Sequence, residues 1–269
     1  MLNHPTFNQL RDLKLTGMLK ALQEQEHMPD IERLSFLERL GLLVDREVQE
    51  RDNRRLATRL RFAKLKQAAS LEDLDLKTPR QLDRALIQQL ADCRWVKEHL
   101  NILITGPTGV GKSFLACALA QKACRQGYTA FYQRWPRLLT ELEISRGDGR
   151  YPRVMRQLAR IDVLVLDDWG LDTGLTDRQR RDLLEILDDR YATRATVVTS
   201  QLPIEHWHQA LGDPTLAEAI LDRLVHNAYR IKLKGKSMRK NLAEELGLPS
   251  KSTESNNPSE IEMAKNIDG

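Results

Sequence analysis

Residues 101–116 read NILITGPTGVGKSFLA, and this stretch constrains the fold more than any other part of the chain. A short apolar run typical of a β-strand leads into a glycine-rich turn, and an apolar helical pattern follows. Glycines let the backbone curl so that its N–H groups, with the start of a helix behind them, point at one phosphate-binding spot. The pattern is therefore that of a P-loop, which cradles the phosphates of a nucleoside triphosphate. The residues expected to contact the nucleotide are Gly106, Pro107, Thr108, Gly109, Val110, Gly111, Lys112, Ser113 and Phe114.

Two side chains of this loop have specific chemical roles. Lys112 is expected to reach the β- and γ-phosphates, and the Ser113 hydroxyl is expected to ligate Mg²⁺. A chance glycine turn is the alternative interpretation. The strand before the turn and the helix after it argue against that alternative, and ATP with Mg²⁺ is the predicted ligand.

Further strand-like runs alternate with helical patterns over residues 100–235, which predicts a parallel sheet covered by helices on both faces. One run, Asp162 to Asp168, contains four consecutive apolar residues and ends in two carboxylates, as expected for a strand covered on both sides. Ligands of such sheets bind at the carboxyl ends of the strands. The five predicted strands cover residues 102–105, 129–132, 162–168, 195–199 and 229–233.

The carboxylates at the end of the third strand complete the predicted nucleotide site. Asp167 is placed as a Walker B acid that holds Mg²⁺ through water. Asp168 is expected to orient or deprotonate the attacking water, the alternative being a loop or helix-capping carboxylate. The fourth strand ends in Thr199, Ser200 and Gln201, and Gln201 is the residue selected as a polar sensor of the γ-phosphate.

Arg223 lies on a predicted helix just before the fifth strand and could point across a subunit interface at a neighbour's γ-phosphate. The alternative is a surface salt bridge with Asp222 or Glu218. Arg239 is a weaker candidate for a second cationic contact, and for Arg190 a structural role is favoured.

Composition limits the other functional classes. The chain has 269 residues, a net charge of +4 and three cysteines, none in a CxxC pair. Cys117 and Cys124 lie seven residues apart on the helix after the P-loop, which favours core packing over metal or disulfide chemistry. Neither a membrane-spanning run nor a signal peptide is recognised, so no membrane partner is predicted and the location is expected to be the bacterial cytosol.

Residues 1–74 are predicted to form a helical N-terminal domain, residues 75–248 the ATPase domain and residues 249–269 a disordered tail. Residues 69–80 are polar and acidic and are interpreted as a linker. Residues 46–66 carry eight basic and three acidic side chains, so this helix either contacts DNA or a partner, or is a solvated face with ordinary salt bridges. Its candidate DNA contacts are Arg54, Arg55, Arg59 and Arg61.

Residues 134–160 form a second basic segment, in which seven arginines face three acidic residues. The pattern predicts two helices around the turn at residues 147–149. Arginine suits forked contacts to phosphate, and double-stranded DNA is the predicted partner. The candidate DNA contacts in this segment are Arg146, Arg150, Arg153 and Arg156.

The ordered set of motifs resembles the IstB-type ATP-binding helper proteins of insertion sequences, which are related to DnaC helicase loaders. The resemblance rests on GPTGVGKS, VLVLDDWG, DLLEILDDRY, VVTSQLPIEHWH, GDPTLAEAILDRLVHNAYRI and LKGKSMRK. It implies an AAA+ ATPase core after a small all-α domain, ATP-dependent self-association on DNA, and assistance to a partner transposase. In that family type a glutamate usually occupies the place of Asp168, so slow or partner-stimulated hydrolysis is expected.

Three other functions remain open at this point. A replicative helicase loader is separated from a transposition helper only by resemblance. A small-molecule P-loop kinase has no evident use for two basic helical segments, and a pure DNA-binding protein has no use for a P-loop with paired carboxylates.

Overall fold

The protein is described by a computed structural model that covers residues 5–170 and 174–238. Arg239 and the predicted tail at residues 249–269 lie outside the described residues. Within the described part, no helix is both long and apolar enough to cross a bilayer.

The predicted parallel sheet is confirmed. Its five strands are all parallel and follow the spatial order β2-β3-β4-β1-β5, so the strand before the P-loop lies between the fourth and fifth strands. Each predicted strand lies within one or two residues of its observed position. The strands are β1 (Asn101–Thr105), β2 (Ala130–Arg134), β3 (Val163–Trp169), β4 (Ala195–Ser200) and β5 (Ala228–Lys232).

Alternation along the strands builds two cores, one on each face of the sheet. Ile102 and Ile104 of β1 belong to one core, whereas Leu103 between them belongs to the other. Successive side chains of a strand point to opposite faces, so these buried runs must be apolar throughout. Cys117 and Cys124 are fully buried in the first core, as their spacing predicts.

Helices cover both faces. On the first face lie α4 (Arg84–Ala91), α5 (Arg94–Lys97) and α6 (Lys112–Arg125). On the second lie α7 (Trp135–Gly147), α8 (Tyr151–Arg160), α9 (Asp177–Arg190), α10 (Trp207–Leu211) and α11 (Pro214–Val225), with a 3-10 turn at Ile204–His206. The two helices predicted in residues 134–160 are thus α7 and α8.

The N-terminal region is helical, as predicted. It comprises α1 (Pro5–Asp12), α2 (Thr16–Glu26), a 3-10 turn at Ile31–Arg33 and α3 (Phe36–Ala63). A capping box between Ser35 and Glu38 starts α3. Gly17 allows α2 to approach α3 closely, because a Cβ there would lie 2.6 Å from the Arg46 carbonyl oxygen. The buried carboxylate of Glu47 accepts from the Gly17 and Met18 amides and fixes this contact.

The last turns of α3 pack directly on the ATPase core. Ala63 is fully buried, the Phe62 and Phe131 rings lie 5.8 Å apart, and the Arg59 guanidinium donates to the Cys124 carbonyl at the end of α6. The prediction of a linker at residues 69–80 is wrong in this respect. Ala69 and Leu74 of this segment are buried against the same core, so the segment is packed rather than free.

Candidate nucleotide-binding site

The carboxyl ends of β1, β3 and β4 meet beside the glycine-rich turn, and a cavity of about 620 Å³ lies there. It is lined by P-loop residues and by side chains from five other parts of the chain. These include Lys66, Leu74, Arg134, Asp168, Gln201 and Met238. The predicted site residues at the strand ends are therefore brought to one place.

Backbone geometry explains the glycines of the loop. Gly109 has φ +85°, and a Cβ at this position would lie 2.1 Å from the Ser237 hydroxyl. Gly111 has φ +97° and forms the N-cap of α6, with the Arg80 guanidinium against it. Residues with a side chain seldom adopt this left-handed conformation, so only glycine fits without strain. The loop thus presents its backbone and the N-terminus of α6 to the cavity.

The remaining loop residues are positioned around this backbone. Lys112 is largely buried, and its ammonium donates to the Gly106 and Pro107 carbonyls at 2.7 and 2.8 Å, which holds the charge within the loop. Val110 is fully buried, whereas Phe114 is half-buried and lines the cavity.

Asp167 is the most heavily coordinated carboxylate of the site. It is completely buried and accepts hydrogen bonds from the hydroxyls of Ser113, Tyr132 and Thr199. The Lys66 ammonium lies 3.1 Å from its Oδ2. Burial by itself would raise the pKa of Asp167, but the hydroxyl donors and the Lys66 charge outweigh burial and lower it. The carboxylate is consequently ionised at neutral pH.

The donor set of Ser113 and Asp167 fits Mg²⁺. The Ser113 hydroxyl oxygen lies 2.8 and 3.0 Å from the two carboxylate oxygens of Asp167. Mg²⁺ is a hard cation that prefers oxygen ligands, keeps several waters and uses one or two carboxylates with phosphate oxygens. A hydroxyl and an ionised carboxylate at the mouth of a phosphate-binding loop supply that chemistry.

Asp168 has an unusual conformation for a strand residue. Its φ is +62°, and the register of β3 against β4 is irregular between Leu166 and Trp169. The Asp168 carboxylate pairs with the Arg134 guanidinium, whose Nε and Nη2 lie 2.9 and 2.8 Å from Oδ2. Asp168 therefore projects into the cavity, whereas Asp167, one residue earlier, points into the core. Strained backbone of this kind is often found at functional sites.

Gln201 is positioned by the P-loop itself. Its side-chain oxygen accepts from the Thr108 hydroxyl at 2.6 Å. Thr199, one of the other polar residues at this strand end, instead donates to Asp167 and is fully buried. Of these two residues, Gln201 is therefore the one whose side chain lines the cavity.

Arg223 lies far from the P-loop of its own chain. Its backbone carbonyl accepts from the Asn101 side chain at the start of β1, whereas the P-loop follows the other end of that strand, roughly 13 Å away. The guanidinium lies 3.1 Å from Asp188 and 3.6 Å from Asp222, and the side chain is 32% exposed. The predicted surface salt bridge with Asp222 is therefore present, and a second one joins Arg223 to Asp188.

Arg190 has the structural role favoured by the sequence. Its guanidinium is almost completely buried and donates to the carbonyls of Leu158 and Ile161 at 2.6 and 2.7 Å and to the Thr196 hydroxyl at 3.1 Å. It ties the end of α8 to the start of β4.

The candidate DNA contacts on α3 have different surroundings. Arg54 donates to the Thr16 hydroxyl, Arg55 pairs loosely with Asp52, and Arg61 is exposed. Arg59 is bound to the end of α6 and is the least available of the four.

The candidates in the second basic segment also divide into two groups. Arg146 is tied to Asp182 and stacks 3.6 Å above the Tyr151 ring, so it holds α7, α8 and α9 together. The exposed side of α8 carries the other three, opposite the buried Met155 and Leu158. They are Arg150, which pairs with Asp148, and the exposed Arg153 and Arg156.

Several site residues escaped sequence reasoning because long-range packing places them. The Tyr132 hydroxyl reaches Asp167 from β2, and burial raises its pKa, so it remains a donor. Arg80 donates to the Val110 carbonyl from the segment interpreted as a linker. Lys66 and Arg134 were counted only as parts of basic segments, and no local pattern marks their contacts with the two aspartates.

Comparison with known proteins fits this geometry. Residues 8–245 match the family described as IstB-like ATP binding protein. The chain belongs to this family. The IstB-like chain is 54% identical over 241 residues to an insertion sequence ATP-binding protein of Sinorhizobium fredii, covering 90% of this chain and 98% of the relative. It is 53% identical over 204 residues to the ATP-binding protein of insertion sequence IS1162 from Pseudomonas fluorescens, covering 76% and 88%.

Solved structures share the fold of this IstB-like protein. The crystal structure of DnaI superposes with a TM-score of 0.52 at 24% identity, covering 61% of this chain and 90% of DnaI. The DnaC helicase loader gives 0.51 at 22% identity, covering 62% and 97%. The predicted fold, a five-stranded parallel sheet covered by helices on both faces and preceded by a helical region, is thereby confirmed.

Proposed function

We propose that this chain is a DNA-stimulated AAA+ ATPase that self-associates in an ATP-dependent manner and assists a transposase in inserting a mobile element. One observation carries the proposal: the P-loop and Asp168 line one cavity, and Ser113 of the loop is bonded to Asp167, in a chain whose relatives are named for insertion sequences and ATP binding. The conserved chemistry of a P-loop needs these groups in one place.

Binding of ATP follows from the loop. The backbone N–H groups and the start of α6 attract the phosphates, and Lys112 supplies a cation beside them. Ser113 and Asp167 would hold Mg²⁺, which neutralises charge on the phosphate oxygens when bound. Gln201, whose side chain is bonded to Thr108 of the P-loop, is assigned as the γ-phosphate sensor.

Hydrolysis is assigned to Asp168. A water oxygen attacks the γ-phosphorus, one water proton passes to the Asp168 carboxylate, and the bond from γ-phosphorus to the bridging oxygen breaks. The ion pair with Arg134 turns this carboxylate toward the start of α7. Movement of α7 and α8 on DNA provides a physical route by which DNA stimulates the reaction.

Assembly is assigned to Arg223. Because it lies at the opposite end of β1 from its own P-loop, a second copy must supply the phosphate that it contacts. A cation placed there stabilises negative charge that develops in the transition state. Nucleotide and self-association are coupled in this way, and the helical N-terminal domain is free to contact DNA or the transposase in the bacterial cytosol.

A helicase loader remains the alternative function. DnaI and DnaC resemble the chain in fold only, whereas the relatives with more than half of their residues identical carry insertion sequence names. Co-purification of the tagged protein with a transposase, and not with the replicative helicase, is the expected outcome. Exclusive capture of the helicase would reverse the assignment.

The ATPase assignment is tested by phosphate release with and without duplex DNA. The wild type should release phosphate slowly alone and faster with DNA. Lys112→Ala should lose most nucleotide affinity, whereas Asp168→Asn should bind nucleotide normally and lose turnover, since an amide does not accept the proton. Normal hydrolysis by Asp168→Asn would show that Asp168 does not accept the proton and has only a structural role.

A further inference from the structure

Lys66 enters the nucleotide site from outside the ATPase core. It follows α3 by three residues, and Ala63 at the end of that helix is fully buried. The end of α3 is thus anchored, and the flexible lysine side chain reaches from this anchor to Asp167. Its side chain is 35% exposed, so it reaches the buried carboxylate from the solvent side.

The Lys66 ammonium contacts the same carboxylate that is proposed to hold the metal. Lys66 Nζ lies 3.1 Å from Asp167 Oδ2, and the Ser113 hydroxyl lies 3.0 Å from the same oxygen. Tyr132 also donates to this oxygen. A divalent cation held between Ser113 and Asp167, directly or through water, therefore approaches a carboxylate that already carries an ammonium.

Two positive charges at the same buried carboxylate, here the Lys66 ammonium and the divalent cation, repel each other strongly. Lys66 and a divalent cation consequently oppose each other at Asp167. The Lys112 ammonium donates to the Gly106 and Pro107 carbonyls of the loop.

We propose that Lys66 competes with Mg²⁺ for Asp167 and thereby couples the metal site to the end of α3. This inference rests on the proposed function, because it assumes that Mg²⁺ accompanies the nucleotide. Coupling between two sites is reciprocal. If the Lys66 contact weakens the affinity for Mg²⁺, bound Mg²⁺ weakens the contact of Lys66 with Asp167 by the same free energy. Lys66 acts through Asp167 and is a positioning residue.

The consequence reaches the DNA-binding candidates on α3. Arg61 lies five residues before Lys66, and Arg54 and Arg55 lie on the preceding turns of the same helix. Release of Lys66 loosens the junction where this helix meets the core. The nucleotide site can therefore influence the basic helix without contact between nucleotide and DNA.

The test is a Mg²⁺ titration of fluorescent ADP binding by the full-length protein, starting from EDTA. Lys66→Gln removes the competing charge, Lys66→Arg keeps it, and Lys64→Gln is the matched control. Lys64 lies two residues before Lys66, and its ammonium lies over the Phe131 ring. The Lys64→Gln change removes one positive charge, as Lys66→Gln does. Chelation of Mg²⁺ by free nucleotide is identical for all variants and cancels in the comparison.

Lys66→Gln should reach half-maximal binding at about three- to tenfold less Mg²⁺ than the wild type, the range expected for loss of one partly exposed ion pair. Lys66→Arg and Lys64→Gln should resemble the wild type, and affinity in EDTA should not change. Equal weakening of nucleotide binding with and without Mg²⁺ in Lys66→Gln would make Lys66 a phosphate ligand and overturn the proposal.

An unchanged Mg²⁺ requirement in Lys66→Gln, or an equal shift in Lys64→Gln, would also overturn it. In either case a wild type that binds nucleotide leaves the proposed function standing. A wild type that binds no nucleotide at any Mg²⁺ concentration would overturn the proposed function, and the Lys66 inference with it.

Discussion

The exposed side of α8 gives the most quantitative prediction about DNA. Arg153 and Arg156 project from the side of the helix opposite Met155 and Leu158, and Arg150 is the residue just before its first turn. We expect the triple change of these arginines to alanine to weaken DNA binding and to make it less sensitive to salt. The fold should persist, since none of the three is buried.

The size of the effect follows from counterion release. Each phosphate contact contributes about 0.9 to the slope of log affinity against log salt, so loss of three contacts flattens the slope by up to about 2.7. Arg150 already pairs with Asp148, which makes loss of two contacts, about 1.8, the lower value. Between 50 and 200 mM salt, the wild type should lose roughly 12- to 40-fold more affinity than the variant.

The assay is fluorescence anisotropy of a labelled duplex at several salt concentrations with a non-hydrolysable ATP analogue. A control variant, Arg84→Ala, Arg94→Ala and Lys97→Ala, removes three charges from α4 and α5 on the opposite face of the sheet. The control should keep the wild-type slope, and both variants should bind nucleotide normally. A triple α8 variant with wild-type affinity and slope would refute the assignment and favour the basic end of α3.

Three further changes test other parts of the account. Arg223→Ala should abolish DNA-stimulated hydrolysis. Mixing this variant with Asp168→Asn should restore part of the hydrolysis, because an interface between the two variants combines an intact Asp168 with an intact Arg223. No recovery would exclude a role of Arg223 across the interface. Arg134→Ala should raise hydrolysis without DNA severalfold and leave nucleotide affinity unchanged, because Asp168 is freed; lower basal hydrolysis would show that Arg134 supports Asp168 instead. Arg190→Ala should lower the melting temperature by about 6–12 °C, since unpaired buried acceptors cost about 3 kcal/mol. The exposed neighbour change Arg194→Ala is its control, and equal melting of the two variants would contradict the buried role.

The sheet was predictable because its signals are local. The apolar run from residue 163 to 166 is typical of a strand covered on both faces, and the glycine-rich turn at residue 106 indicates where the ligand-binding edge lies. Given parallel strands, the convergence of Ser113 and Asp167 follows from topology. The ends of the strands shift by a residue or two because hydrogen bonding between strands, rather than composition, sets them.

Contacts made across long sequence separations were not predictable. Lys66 and Asp167 lie 101 residues apart, and their contact depends on how α3 docks beside β2. The segment at residues 69–80 is polar enough to read as a linker, yet a few apolar residues such as Leu74 suffice to pack it on the core. Composition measures the average character of a segment, whereas packing depends on which residues face inward.

The most direct test of the central claim is the mass of the protein in solution, measured by size-exclusion chromatography with light scattering. Wild-type protein should form a discrete oligomer when both duplex DNA and a non-hydrolysable ATP analogue are present, and a smaller species with ADP or without nucleotide. Lys112→Ala should remain small under all of these conditions, because it lacks the nucleotide that assembly requires. A wild type whose mass is the same with and without nucleotide and DNA would contradict ATP-dependent assembly.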